Sequence, residues 1–317
     1  MAVLAIDLGG TKALGAIFDG AGNKVKEEIR YLNGAGGDGA GDTVASLTSS
    51  LIDSYDTESI EAVGVCVPGI VYSKDDTVWA PNIPGWTKYP LKKRICQVVG
   101  PDIAVDIGSD RTCYILGEVW KGAARGCKNA IYIAVGTGIG MGILVDGRIL
   151  HGANDIIGAG GWMALEYPHI EEYSPTGCFE YYASGTGIAT QIRKALRSAS
   201  NYSGVLSIKP IDEVDSRDVF AAYAQGDPLA TKVLDKAVEM WGMAAANVVS
   251  LFNPEKVIFG GGVFGPAGQF LGRIYDEACK WGQPIAMRDV KFCVSEVQGE
   301  AALYGSAFLA IRAAETE

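Results

Sequence analysis

Three glycine-rich turns constrain this chain most, because each follows directly on a short apolar run. Val3–Ile6 meets Gly9-Gly10-Thr11-Lys12, residues 130–135 meet Gly136-Thr137-Gly138, and residues 257–259 meet Gly260-Gly261-Gly262. An apolar run bounded by glycine reads as a buried strand ending in a tight turn. Such a turn exposes backbone N–H groups and lets an anion approach without meeting a Cβ. One turn alone would be ordinary strand punctuation, but three in one chain point to a nucleotide held by backbone donors. The spacing is not the GxxxxGK[ST] phosphate loop. The GTGIGMG stretch has the letters of a dinucleotide fingerprint, but an apolar strand and a hairpin follow it in place of a helix.

The first two turns sit in similar surroundings. Residues 14–18 and 141–145 are apolar, and each run ends in Asp-Gly, at Asp19-Gly20 and Asp146-Gly147. Asp-Gly between apolar runs is a hairpin signal. At a fixed offset of 127 residues Gly9 falls on Gly136, Gly15 on Gly142, Asp19 on Asp146 and Gly20 on Gly147. Matching strand order around a fixed offset argues for a duplicated unit. Residues 25–31 close a first meander, Gly34–Gly41 reads as a loop, and 43–55 reads as a helix with Asp42 as its N-cap. Residues 62–67 read as a strand. Helical spacing is expected over 179–198, 218–225, 228–252, 266–280 and 299–314. Strands alternating with helices indicate an α/β architecture.

Composition narrows the function. Of 317 residues 42 are glycine, about twice the usual ~7%, without a collagen period or a Gly/Ser tract. A hydrophobic share of 48% is enough for a sizeable core, and the length suits two domains. The net charge of −10 argues against a nucleic-acid partner, since the longest basic cluster is only Lys92, Lys93 and Arg94. No basic-then-apolar leader and no apolar stretch of about 20 residues is present, so neither secretion nor a membrane span is expected. The 7 cysteines form no CxxC pair, which suits reduced thiols in a cytoplasmic protein. With 2 histidines, a histidine-rich metal site is excluded.

DLGGTK at 7–12, APNIPGW at 80–86, SDRTCYILGE at 109–118, GTGIGMGILVDGRILHGA at 136–153, GCFEYYASG at 177–185 and NPEKVIFGGG at 253–262 together resemble the repressor/ORF/kinase (ROK) family of sugar kinases. The resemblance implies a two-lobed actin-like (ribonuclease-H-like, ASKHA) α/β fold with a cleft between the lobes. It places an N-terminal lobe at 1–117 completed by a C-terminal helix at 302–317, and a second lobe at 118–301. It implies an ATP-dependent kinase acting on a hydroxyl of a hexose, amino sugar or sugar-like cyclitol. Asp110, eight residues before Glu118, takes the family's general-base position. The resemblance also assigns Asp7 to Mg²⁺ through water, and Asp7, Gly9, Gly10, Thr11, Lys12, Gly136, Thr137, Gly138, Gly260, Gly261 and Gly262 to nucleotide and phosphate. Asn82, Ser109, Asp110, Trp162 and Glu180 would meet the sugar. A homodimer is a further family trait.

Taken without the resemblance, Asp110 reads as a helix N-cap and Asp7 as a strand-end turn cap. The chain also departs from the family. Ser109 stands where Asn is usual, and Ala159 and Trp162 stand where a sugar-binding Glu and a sugar- and zinc-binding His are usual. Of the three family zinc cysteines only Cys178 remains, and one thiolate does not hold zinc, so no zinc is expected. Trp162 would stack on a sugar face or fill the volume of the missing zinc loop. These departures keep a second reading open, a non-catalytic sugar-responsive binding protein on the kinase fold.

Overall fold

The computed structural model describes residues 2–315. The chain divides into two compact units. One runs to Gly126, takes in Ile149–Ile157 and resumes at Glu296. The other comprises Cys127–Arg148 and Gly158–Ser295.

In the first unit β1 (Ala2–Leu8), β2 (Lys12–Phe18) and β3 (Lys24–Tyr31) form an antiparallel meander. Then come α1 (Gly37–Asp53), β4 (Ile60–Val67), the small hairpin β5 (Ile70–Tyr72) and β6 (Thr77–Trp79), α2 (Leu91–Val99), β7 (Ala104–Ser109) and α3 (Asp110–Lys121). The sheet order is β3-β2-β1-β4-β7, with β4 parallel to both β1 and β7. Strand alternation sorts β1 between two cores. Leu4, Ile6 and Leu8 pack with Val44, Leu47 and Leu51 of α1, while Val3 and Ala5 face the opposite core. Asp7 therefore has the parity of Val3 and Ala5.

The second unit repeats the plan. It holds β8 (Ala130–Val135), β9 (Ile139–Val145), the first residue of β10 (Arg148–Ile149), α4 (Cys178–Ala183), α5 (Gly185–Ser198), α6 (Ser216–Tyr223), α7 (Pro228–Phe252), β11 (Lys256–Gly260), α8 (Leu271–Trp281), α9 (Pro284–Asp289) and β12 (Lys291–Val294). In its sheet order, β10-β9-β8-β11-β12, β8 is antiparallel to β9 and β11 is parallel to both β8 and β12, as β1 is antiparallel to β2 and β4 parallel to β1 and β7 in the first. The hairpins differ in one detail. Leu8 pairs with Ala13, whereas Val135 pairs with Ile139, so the second glycine turn is one residue shorter. On the long α7, Trp241 meets Phe264 edge-on at 5.0 Å and donates to the Ala183 carbonyl at 3.1 Å. Finally α10 (Ala301–Ala314) returns to the first unit. Its Leu303, Ala307 and Ala310 pack with Val3 and Ala5.

Four local expectations are corrected. The glycine stretch 34–41 is not all loop, because α1 begins at Gly37. Glycine suits this start because a Cβ on Gly36 would run into Pro84 and one on Gly41 into the Tyr89 ring. Asp42 therefore lies inside α1 and caps nothing; its carboxylate pairs with Arg94. The expected helix over 179–198 is two helices, broken at Ser184, whose hydroxyl caps α5 by accepting from Gly187 N–H at 2.9 Å. The stretch from Pro266 opens as a 3-10 turn, and the α-helix starts only at Leu271.

Candidate functional site

In open α/β sheets ligands gather at the carboxyl ends of the parallel strands. At that end of the first sheet Asp7 is the register partner of Cys66 on β4, and Val67 is the partner of Ser109 on β7. Asp110 follows at once as the first residue of α3. The N-cap role belongs to Ser109, whose hydroxyl accepts from Thr112 N–H at 3.3 Å and lies 3.2 Å from the Thr112 hydroxyl. The N-cap is therefore Ser109, and Asp110 is the first residue of the helix proper. Its Oδ1 accepts from Arg111 N–H at 2.8 Å, and the helix N-terminus favours the negative charge. The hydrogen bonds found at this carboxyl among the described residues come from backbone amides.

Both carboxyls are held above the ordinary carboxylate range. For Asp110 burial raises it, and Arg111 and backbone N–H groups oppose the rise. For Asp7 burial again dominates, Cys66 and Lys12 lower it, and the charge of Asp110 adds to the rise. The two acids therefore sense each other on one face of the sheet. Gly9 N–H donates to the Lys12 carbonyl at 2.8 Å, closing the first glycine turn. A Cβ on Gly10 would stand 2.9 Å from the Asn82 Cβ, so Asn82 lies against that turn. Asp7, Gly9–Lys12, Asn82, Ser109 and Asp110 thus form one group in the first unit. Asp106 points elsewhere, into a separate hollow of about 750 Å³ lined also by Lys92, Lys93 and Gln97.

The second unit contributes a cavity of about 520 Å³. Gly136, Thr137, Gly262, Val263 and Pro266 line it together with Gly185, Thr186, Arg193, Asp215, Ser216, Arg217 and Phe220. The N-terminus of α5 sits on the glycine turn, where Gly185 N–H donates to the Gly136 carbonyl at 2.8 Å. Gly260 and Gly261 do not line the cavity. A Cβ on Gly260 would overlap the Tyr132 hydroxyl, and one on Gly261 would stand 2.5 Å from the Val135 carbonyl oxygen. Those two glycines serve strand packing, and only Gly262 of the three opens onto the space. Arg193, Ser216, Arg217 and Phe220 escaped sequence reading because they lie on separate helices without a local signature.

The other side of the same turn meets Glu180. Its Oε2 accepts from Ile139 N–H at 2.6 Å, and burial pushes the carboxyl above its usual range. A Cβ on Gly138 would come within 2.7 Å of Oε2, and one on Gly161 within 2.8 Å. Glu180 is thus seated between two glycines. Gly161 belongs to a 3-10 turn, Gly160–Trp162, that presses on Gly177 just ahead of α4. Trp162 is 58% exposed, so it does not fill an interior volume. Cys178 is buried at the start of α4. The segment between that turn and α4 is tied down by aromatic contacts. Tyr173 meets Tyr181 and Tyr182 edge-on at 5.3 and 5.8 Å, and the Tyr173 and Tyr182 hydroxyls are 2.9 Å apart. His169 packs on Tyr173 at 5.7 Å.

Comparison with known proteins identifies the family and the fold. The ROK family model matches residues 3–313. The glucokinase of Halalkalibacterium halodurans is 30% identical over 317 residues, covering 96% of this chain and 93% of that protein. Among solved structures, a ROK family glucokinase from Streptomyces griseus in complex with glucose and AMPPNP superimposes with a TM-score of 0.77 at 27% identity, over 98% of this chain and 100% of that one. A ROK hexokinase from Thermus thermophilus gives a TM-score of 0.83 at 26% identity, over the whole of both chains. The fold is the actin-like α/β fold of these kinases.

Proposed function

The chain belongs to the ROK family, and from that premise we propose that it transfers the γ-phosphoryl group of ATP to a hydroxyl of a hexose, amino sugar or sugar-like cyclitol. One observation carries the reading. Asp110 sits at the carboxyl end of the sheet beside Asp7, with Ser109 doing the capping, so its carboxyl is available to accept a proton. In this role Asp110 removes the proton of the attacking hydroxyl as the oxygen closes on phosphorus. A positioned base contributes about 10²–10⁴-fold. A carboxyl raised by burial is a stronger proton acceptor than an ordinary carboxylate, which suits the base role.

ATP would occupy the 520 Å³ cavity, with Gly136, Thr137 and Gly262 offering backbone to the phosphates and Phe220 and Val263 offering apolar wall. Glu180, held by Ile139 N–H and flanked by Gly138, would receive sugar hydroxyls next to that turn. Asp7, beside the negative charge of Asp110, suits a hard divalent cation held through water, since such a cation takes few carboxylates and completes its shell with water and phosphate. Mg²⁺ so held would neutralise charge on the transferring phosphoryl group. Asn82, which lies against the Gly10 turn, would orient the acceptor. Among the described residues no helix is long and apolar enough to cross a membrane.

The missing polar groups at Ala159 and Trp162 favour an acceptor that is less polar on that side, or one whose ring face stacks on the exposed indole. The same gap supports a second reading, a sugar-responsive binder without turnover. An ADP-release assay over hexoses, N-acetylhexosamines and cyclitols separates the two. The kinase reading expects turnover of at least one acceptor. It also expects Asp110→Asn to lose about 10²–10⁴ in kcat with ATP affinity held within about threefold. Folded protein that binds ATP and shows a sugar-dependent thermal shift, but releases no ADP with any acceptor, would establish the second reading.

A further inference from the structure

Arg111 follows the proposed base and is only 14% exposed, an unusual position for a guanidinium. Three contacts account for it. Its Nε lies 3.9 Å from Asp110 Oδ1, Nη1 donates to the Ile156 carbonyl at 3.4 Å, and Nη2 donates to the Gly69 carbonyl at 3.4 Å. These partners come from three places in the first unit: the start of α3, the turn after β4, and the segment Ile149–Ile157. That segment has its own anchor, because Asp155 Oδ2 accepts from both the amide and the hydroxyl of Ser73 at 3.0 Å. A planar fork whose two ends reach two fixed carbonyls has its plane set by them, and an ammonium on a flexible stem does not reproduce this. The fork lies on the Oδ1 side of Asp110, the side that already accepts from Arg111 N–H.

We propose that Arg111 is a positioning residue for phosphoryl transfer: pinned by the Gly69 and Ile156 carbonyls, its guanidinium fixes the Oδ1 side of Asp110 and so aims Oδ2 at the acceptor hydroxyl. The inference rests on the kinase reading above. The groups facing Asp110 from neighbouring elements are Asp7 on β1, with Lys12 beside it, and Cys66 on β4, with Cys113 beside it. None of these could substitute for a fork that reaches two backbone carbonyls. A misplacement of about 1 Å at a reacting group costs up to about 10²-fold in rate, so even modest freedom of the carboxylate is measurable.

The test compares steady-state kinetics of wild type, Arg111→Met, Arg111→Lys, Asp110→Asn and the double variant Asp110→Asn/Arg111→Met. Arg111→Met is expected to lower kcat about tenfold or more with both KM values within about twofold, and Arg111→Lys to recover only part of the loss. On the Asp110→Asn background, removing Arg111 should cost less than about a further twofold, because a residue acting through Asp110 has nothing left to act on. Unchanged kcat, a change confined to KM, or losses that add in full in the double variant each overturn the proposal. If wild type phosphorylates no acceptor, the kinase reading falls, and the geometry is read by amide hydrogen exchange instead. Arg111→Met should then speed exchange about fivefold or more around Gly69 and Ile156, and unchanged exchange there refutes the clamp.

Discussion

A carboxyl group at the end of an otherwise apolar, buried strand is costly to ionise, and Asp7 shows the cost. Burial holds it above the ordinary carboxylate range, Cys66 and Lys12 oppose the rise, and Asp110 adds to it. A group whose titration is raised by folding binds its proton more tightly in the native state than in the unfolded chain. Stability therefore falls as pH climbs from the ordinary carboxylate value through the raised one, and the penalty is complete above it. Asp7→Asn removes the charge while keeping the shape. At pH 8, with chelator present, the variant should melt about 2–4 °C above wild type, which is what roughly 1 kcal/mol is worth in a domain of this size. The gap should narrow as pH falls through the raised value toward the ordinary carboxylate range, as the native carboxyl takes up its proton. Phosphoryl transfer should fall steeply in the same variant. Thermal denaturation across pH checks the first claim. A variant that melts lower than wild type at pH 8 would mean that the Asp7 charge stabilises the fold.

The elements carry the site, and they were unequally legible in the sequence. Apolar runs ending in glycine read directly as β1, β8 and β11, because a strand buried on both faces needs no polar alternation. Helix edges were harder, since they are settled by partners far away in the chain. Gly36 and Gly41 look like loop residues, yet they let α1 approach Pro84 and Tyr89. The break at Ser184 was hidden because helical spacing continues across it, and it shows only in the cap on Gly187. Only the family resemblance pointed to Asp7, Asn82, Asp110 and Glu180, since residue chemistry alone reads Asp7 and Asp110 as local caps. The clamp around Arg111 could not be read, because Gly69 and Ile156 lie 42 and 45 residues away. The break at Ser184 leaves α4 as a short separate platform that carries Glu180 against Gly161. Gly161→Ala would place a Cβ 2.8 Å from Glu180 Oε2 and 2.9 Å from its Cβ, so the carboxylate must shift. The expected outcome is a rise in sugar KM of about tenfold, equivalent to about 1.4 kcal/mol, with ATP affinity unchanged. Isothermal titration with sugar and with nucleotide separates the two effects. Equal weakening of both would place the damage beyond Glu180.

At the scale of the whole chain, two sheets of the same order are built in sequence, but the first is completed last. Ser306 on α10 donates its hydroxyl to the Ile6 carbonyl at 3.0 Å across 300 residues of sequence. Three glycines mark where the backbones touch. A Cβ on Gly64 of β4 would overlap the Ser306 carbonyl, one on Gly117 of α3 the Ala301 carbonyl, and one on Gly305 of α10 the Cys113 carbonyl. Backbone cannot yield as a side-chain tip does, so these positions tolerate no added methyl without moving a helix. Overpacking of this kind costs about 1–3 kcal/mol or more. Gly64→Ala and Gly305→Ala should therefore lower Tm by several degrees. Because α3 begins with Asp110 and packs on α10, kcat should also fall at temperatures well below the melting transition. Gly272→Ala is the matched control. A Cβ there meets nothing within 4 Å, and the residue lies in the first turn of α8, so the change should be neutral or stabilise by up to about 1 kcal/mol. Melting curves and kcat at 25 °C for the three variants decide the matter. If Gly64→Ala matches the control in both, α10 is not wedged against the sheet, and the placement of α3 would have to depend on β7 alone.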